Sequence, residues 1–461
     1  MKKDKKILLA FYGDDFTGST DALEFLTLAG VKTVLFLKTP EQKDLDKFEG
    51  LQAIGLAGKS RSMSPSEMEM ELVPAFKNLN SFKPAHFHYK VCSTFDSAPH
   101  VGNIGKAIEI GSKVFNQKTV MVSPAAPHLG RYCIFGNLFA KIGTFGNGDV
   151  YRIDRHPSMS KHPVTPATEA DLTLHLEKQT SKSIALVNLS TIEKGAKSVL
   201  EEIEANDTTD ILFFDGFNKE HLKTIGAVFH RLAKDKTVFS VGSSGIEMAL
   251  GLAWKQQHII DNPEVFKSLG KVGPILVLSG SCSPVSAKQI EYALNNGFEQ
   301  IAIESKAVDA QYHLEIIKNS VSTVVDNFNK GKSTIIHTSI GPNDTRIRET
   351  ELYLKTQGVA EEGIQKHCSK IYGSIIGQIT KKVVSTINIK RIVFAGGDTS
   401  SYAASELNIS ALEMIAPLAP GAPLCRAISD DEFVNGLELN FKGGQVGTDN
   451  YYIKVLKGEK L

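Results

Sequence analysis

The apolar run Leu8-Leu9-Ala10-Phe11-Tyr12 stops at Gly13-Asp14-Asp15, and a helix-like segment begins after Thr17-Gly18-Ser19-Thr20. A strand that ends on two carboxylates and turns directly into a helix reads as the opening unit of an open α/β sheet. Such sheets gather their ligands at the carboxyl ends of the strands. If the strand runs on through them, Asp14 and Asp15 face opposite sides and cannot share a task. Asp21, one or two helical turns further on, returns to the same crevice. Carboxylates in that place suit polyol hydroxyls, a magnesium ion, or proton removal from an attacking hydroxyl. Helix capping is the competing reading, because Asp and Thr are both good N-caps.

Other motifs join this one. Lys59-Ser60-Arg61 follows a later strand, and Lys90-Val91-Cys92-Ser93-Thr94-Phe95-Asp96-Ser97 follows another, with Gly102-Asn103-Ile104-Gly105 beyond it. His162-Pro163-Val164-Thr165-Pro166 lies in an irregular stretch, and the second half adds Gly280-Ser281-Cys282-Ser283, Gly396-Gly397-Asp398-Thr399 and Lys442-Gly443-Gly444. In this order and spacing the chain resembles the four-carbon acid sugar kinases over nearly its whole length. That resemblance implies ATP and Mg2+ as cofactors and phosphoryl transfer to the terminal hydroxyl of a small sugar acid. The Cys92–Ser97 segment is more similar to members acting on 3-oxo-tetronates, which give a 4-phosphate, than to those acting on D- or L-threonate. A branched relative such as 3-oxo-isoapionate offers the same carboxylate and keto handles, and erythronate also stays open.

Bulk properties exclude several classes. A chain of 461 residues is too long for one ordinary core and reads as two or three domains. With 42% hydrophobic and 22% charged residues and a formal net charge of +1, it has no electrostatic footprint for nucleic acid or an anionic membrane. No apolar run approaches the ~20 residues needed to span a bilayer. The basic start Met1–Lys6 feeds a strand cut by Asp14 and Asp15, unlike a signal peptide. Five scattered cysteines suit reduced thiols in a cytoplasm. A homodimer stays open.

Short apolar runs alternate with amphipathic segments along the chain, which predicts βαβ units and largely parallel sheets flanked by helices. Strands are expected at 7–11, 33–37, 53–57, 86–91, 119–123, 184–189 and 210–214, and then at 274–279, 300–303, 334–338 and 391–395. Leu252–Gly273, with Trp254 and Asn262-Pro263, reads as the linker. The expected domains are therefore 1–255, binding sugar acid, and 270–461, binding nucleotide, with an active site in the cleft between them closed by domain motion.

Arg61 at a strand end suits a substrate carboxylate, because a guanidinium fork can bind both oxygens. Lys90 adds a second positive charge, and Ser93, Thr94 and Asp96 offer hydroxyls and a carboxylate to a polyhydroxy ligand. A Ser/Thr-rich capped turn is the bland alternative. Cys92 reads as a packing residue, since no base stands beside it. The segment Asp154–Pro166 holds three prolines and two histidines and reads as a shaped lid. The family resemblance makes His162 a substrate-side contact, although Lys161 stands where the family tends to have a second histidine.

The second half lacks a Walker A sequence. Asn329-Lys330-Gly331-Lys332-Ser333 contains Gly-Lys-Ser, but Asp326 sits where a P-loop needs glycine, and the segment precedes a strand instead of following one. Three strand–glycine turns are better candidates, because small residues let backbone N–H groups and helix N-termini approach an anion. The resemblance implies nucleotide contacts at Ser281, Ser283, Gly396, Gly397, Asp398, Thr399, Gly443 and Gly444. Pro417–Arg426 reads as a proline-stiffened loop, either a plain connection or a pocket wall with Arg426 aimed at phosphates. Asp15 is the expected base, with Asp398 as its competitor from the nucleotide side.

An oxidoreductase would want Gly-x-Gly-x-x-Gly with an acidic residue ~20 positions on, which is absent. A sugar-acid sensor that consumes no ATP is the remaining alternative.

Overall fold

The computed structural model describes residues 7–142, 148–162, 164–234, 236–262, 265–266 and 269–459, with the side chains of residues 362 and 397–400 outside that description. The chain divides into two compact units, Met1–Glu264 and Val265–Leu461.

The first unit contains β1 (Leu9–Gly13), β2 (Thr33–Phe36), β3 (Ala53–Ala57), β4 (His86–Lys90) and β5 (Val120–Ser123). It continues with β6 (Arg131–Ile134), β7 (Asn137–Lys141), β8 (Val150–Arg152), β9 (Ile184–Val187), β10 (Ile211–Phe214) and β11 (Val238–Gly242). One sheet has the order β2-β3-β1-β4-β11-β5-β10-β9, and its pairings are all parallel. β1 and β10 are buried at every position, as expected of a parallel sheet covered on both faces. β6, β7 and β8 form a separate antiparallel meander. Sequence reading misses that meander, and it also misses β11, whose run is broken by Ser240 and followed by two more serines.

Local chemistry fixes the segments between the strands. Asp15 caps the helix Phe16–Ala29, and Gly30 ends it in the left-handed region. Ser64 and Glu67 form a capping box for the helix Pro65–Ser81, with Pro65 in its first turn. The expected linker starts too early. The helix Gly245–Gln256 runs through Leu252 and Trp254, and Trp254 is 1% exposed with its ring 5.9 Å from that of His86. Glu247, in the same helix, pairs with the side chain of His88 at 2.5 Å, both fully buried.

The second unit contains β12 (Leu276–Ser279), β13 (Glu299–Ala302), β14 (Thr334–His337), β15 (Arg391–Ala395), β16 (Ile409–Ala419), β17 (Ala422–Ser429) and β18 (Glu438–Lys442). The order is β13-β14-β12-β15-β18-β17-β16. The first five strands are parallel, and β17 and β16 add an antiparallel edge. Pro417–Arg426 is therefore a hairpin and not a loop. Its prolines are tolerated because the β16–β17 register shifts between Met414 and Ala416 and again between Ala416 and Ala419.

Trp254→Ala opens a large cavity beside a helix that reads as linker in the sequence. It should cost about 3–5 kcal/mol, seen as a lower denaturant midpoint for the unfolding of the first unit. A residue in a true linker would leave that midpoint unmoved.

Candidate active site

In the first unit, polar side chains converge at the carboxyl ends of β1, β3 and β4. Asp15 lies just beyond β1, and both of its oxygens are engaged. Oδ1 accepts the Gly18 N–H at 2.8 Å, and Oδ2 accepts the Thr17 hydroxyl at 2.7 Å. Oδ2 also pairs with Arg61 Nη2 at 2.8 Å, delivered by the short turn after β3. A side chain at position 18 would fill this site: a Cβ there would lie 2.4 Å from Asp15 Oδ1 and 2.7 Å from Lys90 Nζ. Lys90 ends β4 opposite Gly13, buried in the interior, with its Nζ 3.6 Å from Asp21 Oδ2.

Burial opposes every charge here, and the partners decide the outcome. For Lys90, Asp21, Asp15 and Asp14 outweigh burial and hold the pKa above the usual lysine value. For Asp15, Arg61, Lys90 and the bonds from Thr17 and Gly18 outweigh it, so the carboxyl lies below its usual range. For Asp21, burial wins over Lys90 and the Ser244 hydroxyl, and the pKa is raised. Asp14 is pushed up to about 7, first by burial and then by the Asp15 charge. Asp14 Oδ1 is buried with no hydrogen-bond partner. The condition for Asp14 and Asp15 to face opposite sides by strand alternation is not met, because β1 ends at Gly13, and both feel Arg61 and Lys90.

The turn after β4 places Cys92 Sγ 3.0 Å from Thr94 Oγ1, and burial raises the Cys92 thiol to about 12, so it is no nucleophile at neutral pH. Phe95 is held at φ 58°, a left-handed conformation uncommon for an aromatic residue. Asp96 Oδ1 is buried without a partner. Ser93 lies in the same turn, half-buried. Thr94 and Asp96 line a small cavity with Thr165 and Pro166, so the proline-rich loop reaches this turn. His162 itself turns back into that loop, where its Nδ1 accepts the Thr165 N–H at 3.1 Å. Pro163 lies outside the described residues.

In the second unit the glycine-rich turns after β12, β15 and β18 come together because those strands are neighbours. The Gly280 N–H donates to Ala395 O at 2.9 Å, and the Gly396 N–H to Lys442 O at 3.0 Å. Gly396 stands at φ 118°, where any other residue is strained, and a Cβ there would lie 3.2 Å from the Gly280–Ser281 backbone. Ser283 caps the helix Pro284–Asn295 and donates its hydroxyl to Gly444 O at 2.5 Å. The Ser286 hydroxyl lies 3.0 Å from Ser281 Oγ and 3.1 Å from Gly444 O, with its one hydrogen shared between them. Gly443 begins the same turn, directly after Lys442. Gly397 opens the helix Gly397–Glu406, and the side chains of Asp398 and Thr399 lie outside the described residues. A further turn, missed in the sequence, follows β14: the Ser339 hydroxyl contacts Cys282 Sγ at 3.3 Å.

Two other sequence candidates stand away from these turns. Arg426 pairs in register with Glu438 at the start of β18, a strand's length from the turn after Lys442, and is exposed. The Gly-Lys-Ser segment precedes β14, at the opposite end of the sheet, and its Lys332 pairs with Glu299.

The model of a sugar-binding N-terminal domain matches residues 9–250, and that of a nucleotide-binding C-terminal domain matches residues 276–452. The chain is 36% identical over 455 residues, 98% of its own length and 94% of the relative's, to a 3-oxo-isoapionate kinase of Paraburkholderia graminis. The chain belongs to the four-carbon acid sugar kinase family. It is also 26% identical to a 3-oxo-tetronate kinase of Pectobacterium atrosepticum, over 98% of this chain and 99% of that one. A solved structure from Salmonella typhimurium LT2 shares the fold at TM-score 0.74 and 22% identity, covering 97% of this chain and 98% of the other. One from Haemophilus influenzae does so at 0.67 and 22%, with the same coverages.

Sequence reading misses three members of the first site, all from segments with no recognisable motif. Arg131, at the start of β6, uses Nη1 on the carbonyls of Leu129 and Lys141, while its Nε is buried without a partner. His128 stacks on Phe25 with ring centroids 4.0 Å apart, and burial together with the Lys90 charge lowers it to about 3. Ser244, beyond β11, bonds Asp21 and lies 3.5 Å from His128 Nε2. Only a correct placement of β11 and of the meander would bring them to the site.

Among the described residues, no cluster of three His, Cys, Asp or Glu is placed to hold a metal ion. Magnesium commonly binds through phosphates with one or two carboxylates, so this donor set suits an ion carried in by a nucleotide and not a protein cage. No helix among the described residues is long and apolar enough to cross a membrane.

Asp14 gives a testable pH signature. Its pKa rises from 3.8 to about 7 on folding, so the native state binds the proton more tightly and stability falls as pH climbs between those values. Asp14→Asn should remove that decline and be more stable than the parent above pH 7, with no advantage at pH 4. Denaturant midpoints measured across this range check it.

Proposed function

We propose that this chain transfers the terminal phosphoryl group of Mg·ATP to a terminal hydroxyl of a 3-oxo sugar acid, in the cytoplasm. The observation that carries the reading is the 36% identity, over 98% of the chain, to a 3-oxo-isoapionate kinase. That likeness puts 3-oxo-isoapionate first among the substrates. The 26% identity to a 3-oxo-tetronate kinase keeps the 3-oxo-tetronates as the second reading.

Phosphoryl transfer needs chiefly positioning and charge neutralisation. In the proposed mechanism the sugar acid binds the first unit. Ser93, Thr94 and Asp96 take its hydroxyls, and Arg131 and Arg61 its carboxylate. Asp14 accepts the proton of the attacking hydroxyl. It suits the role better than Asp15, whose oxygens are committed to Thr17, Gly18 and Arg61 and whose charge those partners stabilise. Lys90, held by Asp21, faces the charge developed on the reacting oxygen. The turns with Ser281, Ser283, Gly396, Gly397, Asp398, Thr399, Gly443 and Gly444 hold the nucleotide. Magnesium, carried on the phosphates, supplies neutralisation of the transferred group.

The test is ADP release by the purified full chain with Mg·ATP and a panel of 3-oxo-isoapionate, 3-oxo-tetronates, threonates and erythronate. Turnover should be greatest with 3-oxo-isoapionate. Binding of these acids without ADP release would replace the kinase by a sensor.

Two variants probe the roles. Asp14→Asn should lower kcat by roughly 10²–10⁴ while both substrates still bind, and the parent's kcat/KM should rise with pH to a plateau above about 7. A larger loss in Asp15→Asn than in Asp14→Asn would return the base to Asp15. Arg61→Ala should raise the KM of the sugar acid by the equivalent of about 2–4 kcal/mol and leave that of ATP nearly unchanged. An unchanged sugar-acid KM would remove Arg61 from the carboxylate.

A further inference from the structure

We infer that Lys442 is a positioning residue whose buried ammonium is charge-balanced by the phosphates of a bound nucleotide, so that nucleotide binding draws a proton onto the protein. The inference rests on the nucleotide reading of the second unit and deepens it.

Lys442 is completely buried at the end of β18, beneath the Gly443–Gly444 turn. Its Nζ lies 3.4 Å from Ser286 Oγ and 5.5 Å from the centre of the Tyr451 ring, and no carboxylate among the described residues pairs with it. Ser286 sits in the first turn of the helix Pro284–Asn295, and its hydroxyl bonds both Ser281 and Gly444. Lys442 thus reaches two of the three glycine-rich turns through one hydroxyl, and its carbonyl accepts the N–H of Gly396 in the third.

Among the described residues, the groups on surrounding elements do not neutralise it; the side chain of Asp398, next to the Gly396 turn, lies outside them. Lys288 and Glu291, on the helix Pro284–Asn295, are exposed. Arg391 of β15 is paired with Glu438 at the far end of β18. Arg426 of β17 lies at that same far end, and the helix Tyr451–Lys457 contributes Tyr451, Tyr452 and the cationic Lys454. A buried ammonium without an anion is costly. Here the helix N-terminus adds further positive potential, which disfavours a cation and attracts an anion. Burial alone brings Lys442 down to about 7. Two sources of positive potential meeting a close approach of glycine backbones, with no acid among the described partners, define a site that is complete only when an anion occupies it.

The experiment is calorimetric titration of the full chain with ADP at pH 8, where ADP is fully ionised, in buffers of different ionisation enthalpy. The parent should take up close to one proton per ADP bound, and its ADP affinity should fall by up to about tenfold per pH unit above pH 7. Lys442→Met should lose the proton uptake and show a flat pH profile. Lys442→Gln provides the same test should the methionine variant not fold. If neither folds, the parent's proton count decides alone. ADP binding with no proton uptake in the parent, or with unchanged uptake in either variant, would overturn the inference and leave the nucleotide reading intact. No ADP binding by the parent would overturn both.

Discussion

Buried carboxylates can crowd one strand edge only if a cation is buried with them, and in the first unit that cation is Lys90. It stands at the end of β4, in register with Gly13, where Asp14, Asp15 and Asp21 all feel its charge. Each acid depends on it differently. Asp15 has Arg61 and the helix cap as well, Asp21 has Ser244, and Asp14 has no hydrogen bond to Oδ1 and is left nearest to neutrality. The environment therefore shifts adjacent residues of the same type in opposite directions. Gly18 belongs to the same arrangement, because a side chain there would displace both Lys90 and Asp15.

The second unit solves the opposite problem. Its polar turns contain hydroxyls, backbone amides and one cation, with the described groups offering that cation no acid. Serine hydroxyls stitch the turns together, so their geometry is set before any ligand arrives. Such preorganisation lowers the cost of binding.

Much of this is legible in the sequence where a motif and a strand end coincide. Asp14–Asp15, Arg61, Lys90 and the glycine turns follow apolar runs, and parallel sheets put all such ends on one edge. What stays hidden depends on tertiary context. The strand β16 is rich in Ala, Leu, Glu and Met and carries Pro417, so local propensity argues against it, and pairing with β17 decides the matter. Trp254 reads as linker because the loss of pattern begins just after its helix ends. Arg131 and His128 carry no motif, and only the path of the chain from β5 into β6 brings them to the acids. The opposite pKa shifts of Asp14 and Asp15 are equally invisible in the sequence, since they arise from burial, from the neighbouring charges and from which oxygens find partners.

The order of strands in the second unit bears on how this protein is made. β12 and β18 are separated by more than a hundred and fifty residues in sequence, yet only β15 stands between them in the sheet. β18, made after the other strands of this unit, is thus an inner one, and until it inserts, β15 and β17 lack the neighbour that joins them. Ser283 and Ser286 lack their Gly444 acceptor for the same interval. On a ribosome the second unit therefore stays open until β18 and the Gly443–Gly444 turn have emerged, and nucleotide can act as a folding ligand only from that point.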